Sequence, residues 1–130
     1  HRTKTTNRYF NYIYVRMGAH TLIHKRTEDD IWKNLFELPL VETEKDLSEE
    51  EFLACPQFHA LFAEGEVRMV RTLLRGVKHV LSHRVIYTNF YEVTLPDNSS
   101  SFSSYQRVAV EDLDRYAVPR LIHAFLEKYV

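Results

Sequence analysis

VRMVRTLLRGVKHVL, Val67 to Leu81, fits either a helix or a strand, and the choice decides the fold. The next stretch tips it. RVIYTNFYEVTL, Arg84 to Leu95, sets Ile86, Thr88 and Phe90 against Val85, Tyr87 and Tyr91. Period-two alternation of β-branched and aromatic residues marks a strand. Val67–Leu81 is therefore read as a strand as well.

Working outward, NRYFNYIYVRM (Asn7–Met17) alternates in the same way. Tyr9, Asn11, Ile13 and Val15 share one face; Phe10, Tyr12 and Tyr14 share the other. Gly18-Ala19 reads as a turn, and HTLIHKR (His20–Arg26) as the returning strand of a hairpin. RTEDD is a charged loop. Pro39 makes Asp30–Glu42 a short strand and loop rather than a helix. In DLSEEEFLAC, Ser48 and Glu51 have capping-box spacing, and Glu49, Glu50 and Glu51 suit a first helical turn. Pro56 ends that helix or starts another; Phe58, Leu61 and Phe62 have helical spacing, with Gly65 able to close it.

Downstream, PDNSSSFSS (Pro96–Ser104) is a loop and Gln106–Val110 a short strand. Val118, Leu121, Ile122, Phe125, Leu126 and Tyr129 repeat at helical intervals, which predicts an amphipathic helix with Pro119 in its first turn. Strands interleaved with two or three helices give an α/β or α+β fold, a mixed sheet with helices on its faces.

At 130 residues and 45% apolar content, the chain is expected to form one domain, residues 8–130 after a linker at 1–7. Starting at His1 rather than Met, it reads as a piece of something longer. No apolar run approaches the ~18 residues of a membrane span, and no signal peptide is visible. Cys55 is the lone cysteine, which excludes an internal disulfide or an all-cysteine cluster within the chain and suits a reducing compartment.

Net charge is −1, but its distribution is uneven. Residues 1–26 carry six Lys/Arg and no Asp/Glu, whereas residues 27–66 carry two against twelve. Residues 67–91 carry five Lys/Arg and no Asp/Glu. Brought together, the two basic segments would make a phosphate-attracting face on a neutral protein; Arg68, Arg71, Arg75 and Lys78 can equally be solvated side chains.

The second basic segment ends in KHVLSHRVIY (Lys78–Tyr87), which carries the candidate chemistry. His79 and His83, like His20 and His24, have H-x-x-x-H spacing. On a strand such residues sit ~13 Å apart and cannot share a metal ion, so no metal site is assigned. Ser82 and His83 are neighbours, which prevents a dyad between them on a strand, and no G-x-S-x-G is present. Glu49-Glu50-Glu51 resembles half of a Mg²⁺ pyrophosphatase site or, more simply, helix-dipole glutamates. A serine hydroxyl among basic and aromatic residues suits the reading of a base edge. A serine satisfied by nearby backbone is the plainer alternative, and with Ser82 structural the chain reads as a protein-interaction domain.

The order of motifs is similar to that in the C-terminal domain of the MutY family, the A/G-specific adenine DNA glycosylases. DDIWKNLFELP, through Trp32, Leu35, Phe36, Glu37, Leu38 and Pro39, resembles the family's G-x-W-x-x-L-W-E-F-P segment. HVLSH resembles its H-x-F-S/T-H motif, with Leu81 in place of Phe. YAVPRLIHAF resembles its closing helix. The resemblance implies a MutT/Nudix-like α/β/α sandwich. A working Nudix hydrolase carries R-E-x-x-E-E after its glycine and first glutamate; the segment after Pro39 lacks it.

By the same resemblance, Ser82 and His83 read 8-oxoguanine opposite adenine in duplex DNA, with Leu81, His79, Lys78 and Arg84 beside them. The oxidised base bears a proton on N7 and an oxygen on C8, where guanine offers only the N7 acceptor. A hydroxyl accepts from the first and donates to the second. The resemblance also implies a separate N-terminal catalytic domain with a [4Fe–4S] cluster, which would pair with this one. It implies no catalysis by this segment alone, and a bacterial, cytoplasmic, nucleoid-associated setting in base-excision repair.

Overall fold

The computed structural model describes residues 6–130. Of the expected linker, residues 1–5 lie outside the described residues, while Thr6 and Asn7 already belong to β1 (Thr6–Arg16). The other strands are β2 (His20–Lys25), β3 (Phe36–Glu37), β4 (Leu40–Thr43), β5 (Met69–Leu81), β6 (Arg84–Thr94) and β7 (Gln106–Ala109). Helices are α1 (Glu49–Ala54), α2 (Pro56–His59) and α3 (Arg120–Tyr129), with a 3-10 helix at Val110–Arg115.

A four-stranded mixed sheet in the order β4-β1-β6-β5 organises the molecule. β1 runs antiparallel to β4 and parallel to β6, with Tyr9 opposite Tyr87 and Ile13 opposite Tyr91. β5 and β6 form a long antiparallel hairpin, so the ambiguous Val67–Leu81 segment is a strand. Its polar side chains belong to an edge strand that irregularities bend between Thr72 and Val77. Gly76 supplies the required positive φ of 70°, and its N–H donates to Asn89 Oδ1 at 2.8 Å.

The alternation in β1 sorts its side chains as expected. Phe10, Tyr12 and Tyr14 enter one core cluster with Ile86 and Phe90, and α3 covers them with Leu121, Ile122 and Phe125. Ile13 and Val15 enter the other cluster with Tyr91 and Val93, under Phe52 of α1 and Phe58 of α2. Phe125 stacks on Phe90 at 4.1 Å, and Phe52 on Tyr91 at 4.6 Å. The result is a sheet buried on both faces between helices.

One expected pairing fails. β2 is not the hairpin partner of β1: apart from a Met17–His20 bridge, it leaves for a second sheet in the order β3-β2-β7. Both edges of β1 are already occupied, by β4 and β6, so after the Gly18-Ala19 turn the chain must find other partners. The helical run around Phe58 is likewise shorter than its spacing suggested, ending at His59, with Gly65 in a later turn.

Ser48 caps α1 as read. Its side chain accepts from Glu51 N at 3.1 Å, and Glu51 Oε1 accepts from Ser48 N at 2.9 Å. No described helix is long and apolar enough to cross a membrane.

Candidate nucleic-acid interface

The β5–β6 hairpin pairs Leu81 with Arg84, leaving Ser82 and His83 as a two-residue tip. Short hairpins favour turns with positive φ, which match strand twist. Neither Ser82 nor His83 has positive φ, so the tip is not of that type. It is tied from outside instead: Thr6 N on β1 donates to His83 O at 3.0 Å. Ser82 and His83 are thus turn residues at the sheet's end, rather than strand residues on opposite faces.

Register sorts the remaining candidates. His79, Leu81 and Ile86 lie on the face carrying the α3-side core. His79 is half-buried, its ring meeting Trp32 edge-on at 6.0 Å, and Leu81 packs half-buried against the core. Lys78 is exposed on the opposite face, across from Tyr87. Ser82, His83 and Arg84 are all exposed, and among the described residues Ser82 Oγ has no hydrogen-bond partner.

Three neighbours were not named as site residues from sequence. Val80, 66% exposed, is the solvent-facing apolar side chain next to the tip. Tyr87 stacks on Tyr9 at 5.6 Å across the parallel β1–β6 pair, on the face of Lys78. Trp32 stands at φ 59°, a conformation disfavoured for so large a residue. Its turn is braced by Leu35 N donating to Trp32 O at 3.1 Å and Arg26 Nε to Ile31 O at 3.0 Å. Trp32 also meets Phe10 edge-on at 5.9 Å, linking the tip end of the hairpin to the core. Period-two faces could have shown Val80 with Lys78; the Trp32 contact is non-local.

The basic face is narrower than the charge blocks suggested. Arg8 is bound by Asp30 and Glu42, each at 2.8 Å, and these carboxylates raise its pKa. Arg26 reaches Glu37 at 3.1 Å and Asp30 at 2.9 Å. Arg71 pairs with buried Glu92 at 3.0 Å, while Arg75 donates to Tyr91 Oη at 2.7 Å. Lys78 and Arg84 have no carboxylate partner among the described residues; Arg84 adjoins the tip, and Lys78 stands farther back on the hairpin.

A buried polar cluster centres on Glu37 of β3. Glu37, 2% exposed, accepts from Tyr12 Oη at 2.6 Å as well as from Arg26. Burial, then the nearby Glu37 charge, pushes the Tyr12 phenol well above its ordinary value. His24 Nε2 sits 2.9 Å from Glu37 Oε2 but outside hydrogen-bond alignment. Hydrogen bonds from Arg8 hold Asp30 down to about 2.

The rival carboxylates sit elsewhere, on α1. Glu51 is committed to the cap, and its hydrogen bonds with Ser48 lower its pKa. Among the described residues, no three His, Cys, Asp or Glu side chains gather where they could hold a metal ion. His20 and His24 both stand on β2, and His79 on β5 with His83 in the turn, so neither pair has helical spacing.

Comparison with known proteins bears on this geometry. The C-terminal domain of mouse MUTYH, solved in complex with human PCNA, superposes with TM-score 0.67 at 14% identity, over 94% of this chain and 86% of that one. A MutT from the Aliivibrio salmonicida and Vibrio cholerae pair gives 0.61 at 16% identity, over 95% and 96%. MutT from Methanosarcina mazei gives 0.60 at 16%, over 98% and 95%. No curated protein matches the chain in sequence. At these identities the likenesses establish the fold. The family description "NUDIX domain" matches residues 11–128, so the chain belongs to the NUDIX domain family.

Proposed function

We propose that this NUDIX domain recognises 8-oxoguanine opposite adenine in duplex DNA, as part of an adenine glycosylase whose catalytic domain and [4Fe–4S] cluster lie in another segment. The observation that carries the reading is the hairpin tip. Ser82 presents an exposed hydroxyl at the end of the four-stranded sheet, without a hydrogen-bond partner among the described residues, with Arg84 beside it and Lys78 farther back on the hairpin. A hydroxyl so placed accepts from the N7 proton of the lesion and donates to its C8 oxygen. Lys78 and Arg84 attract the flanking phosphates. The likeness to the MUTYH C-terminal domain supports the same reading, as does the missing R-E-x-x-E-E after Pro39.

The test is Ser82→Ala in the full-length protein. Because Ser82 is exposed, the fold is expected to survive. The preference for 8-oxoguanine:A over G:A is expected to fall by the equivalent of ~1–3 kcal/mol, roughly 5- to 150-fold. An unchanged preference defeats the proposal.

A second reading, a divergent nucleotide pyrophosphatase using Glu49, Glu50 or Glu51 with Mg²⁺, draws support from the MutT likeness over nearly the whole chain. Incubating the domain with 8-oxo-dGTP and Mg²⁺ and following pyrophosphate separates the two. The recognition reading expects none above a protein-free blank.

A further inference from the structure

Away from the hairpin, the 3-10 helix and α3 leave an apolar groove of about 360 Å³ between them. Leu113, Val118 and Leu126 line it, with Val130, 44% exposed, at one end. Among the described residues its acidic and basic lining is of one sign: Glu111, Asp114 and Glu127 border it, and no Lys or Arg does. Arg115 on the same 3-10 helix turns to Asp112, at 3.6 Å, and Lys128 on α3 does not line the groove. His123, which does, pairs with Glu127 one turn on.

Part of this lining already serves the core, since Leu113 is buried and Val118 and Leu126 pack half-buried against it, so the groove offers their outward edges and exposed Val130. The buried side chains of α3, Leu121, Ile122 and Phe125, face the core. A low-dielectric cleft edged by carboxylates concentrates negative potential, which repels nucleic acid and draws a cationic partner. The space is at the small end for a bound cofactor and suits a few side chains of a peptide laid along it.

We propose that this groove docks a basic, amphipathic segment of a partner protein, with apolar side chains on Leu113, Val118 and Leu126 and Lys/Arg on Glu111, Asp114 and Glu127. The site stands independently of the lesion-reading proposal, since it uses no residue of the hairpin and excludes DNA on charge.

The test is a titration of ¹⁵N-labelled domain with a helical Leu/Lys peptide, alongside a Leu/Glu peptide of the same length. The Leu/Lys peptide is expected to shift amide signals of residues 110–118 and of α3 to saturation, and the Leu/Glu peptide to shift none. Glu111→Lys with Glu127→Lys is expected to weaken binding at least about tenfold. Both glutamates are exposed, and the variant's own spectrum reports its fold. Shifts scattered over the surface, shifts by both peptides alike, no shifts at all, or an affinity indifferent to the charge reversal would each overturn the proposal.

Discussion

At the scale of single residues, the consequential decisions concern where charge is tolerated. Glu37 is buried in the core only because Arg26 and Tyr12 meet its carboxylate. Glu37→Gln leaves Arg26 with Asp30 as its carboxylate. Breaking a buried pair costs about 3–5 kcal/mol, and the surviving Asp30 contact places the expected loss at the lower end, read from urea midpoints. Asp30 has a pH signature of its own. Its pKa is depressed from 3.8 to about 2 by Arg8, so its stabilisation is present above pH 3.8 and is lost as pH falls through about 2. Stability measured from pH 5 downward should therefore fall more steeply in the wild type than in Arg8→Met; parallel curves would show that the pair contributes nothing. None of this pairing was legible in the sequence. Charge counts there show basic and acidic blocks, and it is the fold that brings Arg8 and Arg26 from one block to Asp30, Glu37 and Glu42 from the other.

At the scale of elements, what was legible is what is local. Alternation assigned both faces of β1, and the Ser48/Glu51 spacing gave the α1 cap. The 3-10 helix at Val110–Arg115 was missed because six residues with a three-residue repeat leave no 3.6-residue pattern. The destination of β2 was missed because it depends on β6, far along the chain, occupying the edge of β1 that a hairpin would have used. For the candidate site, the sequence singled out Ser82, His83, Leu81, His79, Lys78 and Arg84; the fold puts Ser82 and His83 at the exposed tip with Arg84 beside them, Lys78 farther back on the other face, and His79 and Leu81 half-buried. The sequence did not show that Trp32 props the tip end of that hairpin through His79. Trp32→Ala should cost about 2 kcal/mol, less than the ~3–5 of a fully buried aromatic. It should also speed amide exchange between His79 and Tyr87 more than in α1. Uniform acceleration across the molecule would indicate general loosening instead.

At the scale of the whole molecule, helices on both faces of a mixed sheet leave the sheet's end as the place where a hairpin tip can project without disturbing the core. The strand that anchors that tip, β1, pairs in parallel with a strand made more than half a chain later. On the ribosome, Phe10, Tyr12, Ile13 and Tyr14 would emerge long before their covering partners exist, a sticky ribbon awaiting its neighbour. A nascent chain stalled after Leu81 should accordingly recruit holdase chaperones and be cut readily by protease, and release from both should come only once Arg84–Thr94 has cleared the exit tunnel. Early protease resistance in the stalled chain would mean that β1 finds a temporary shelter the finished fold does not reveal.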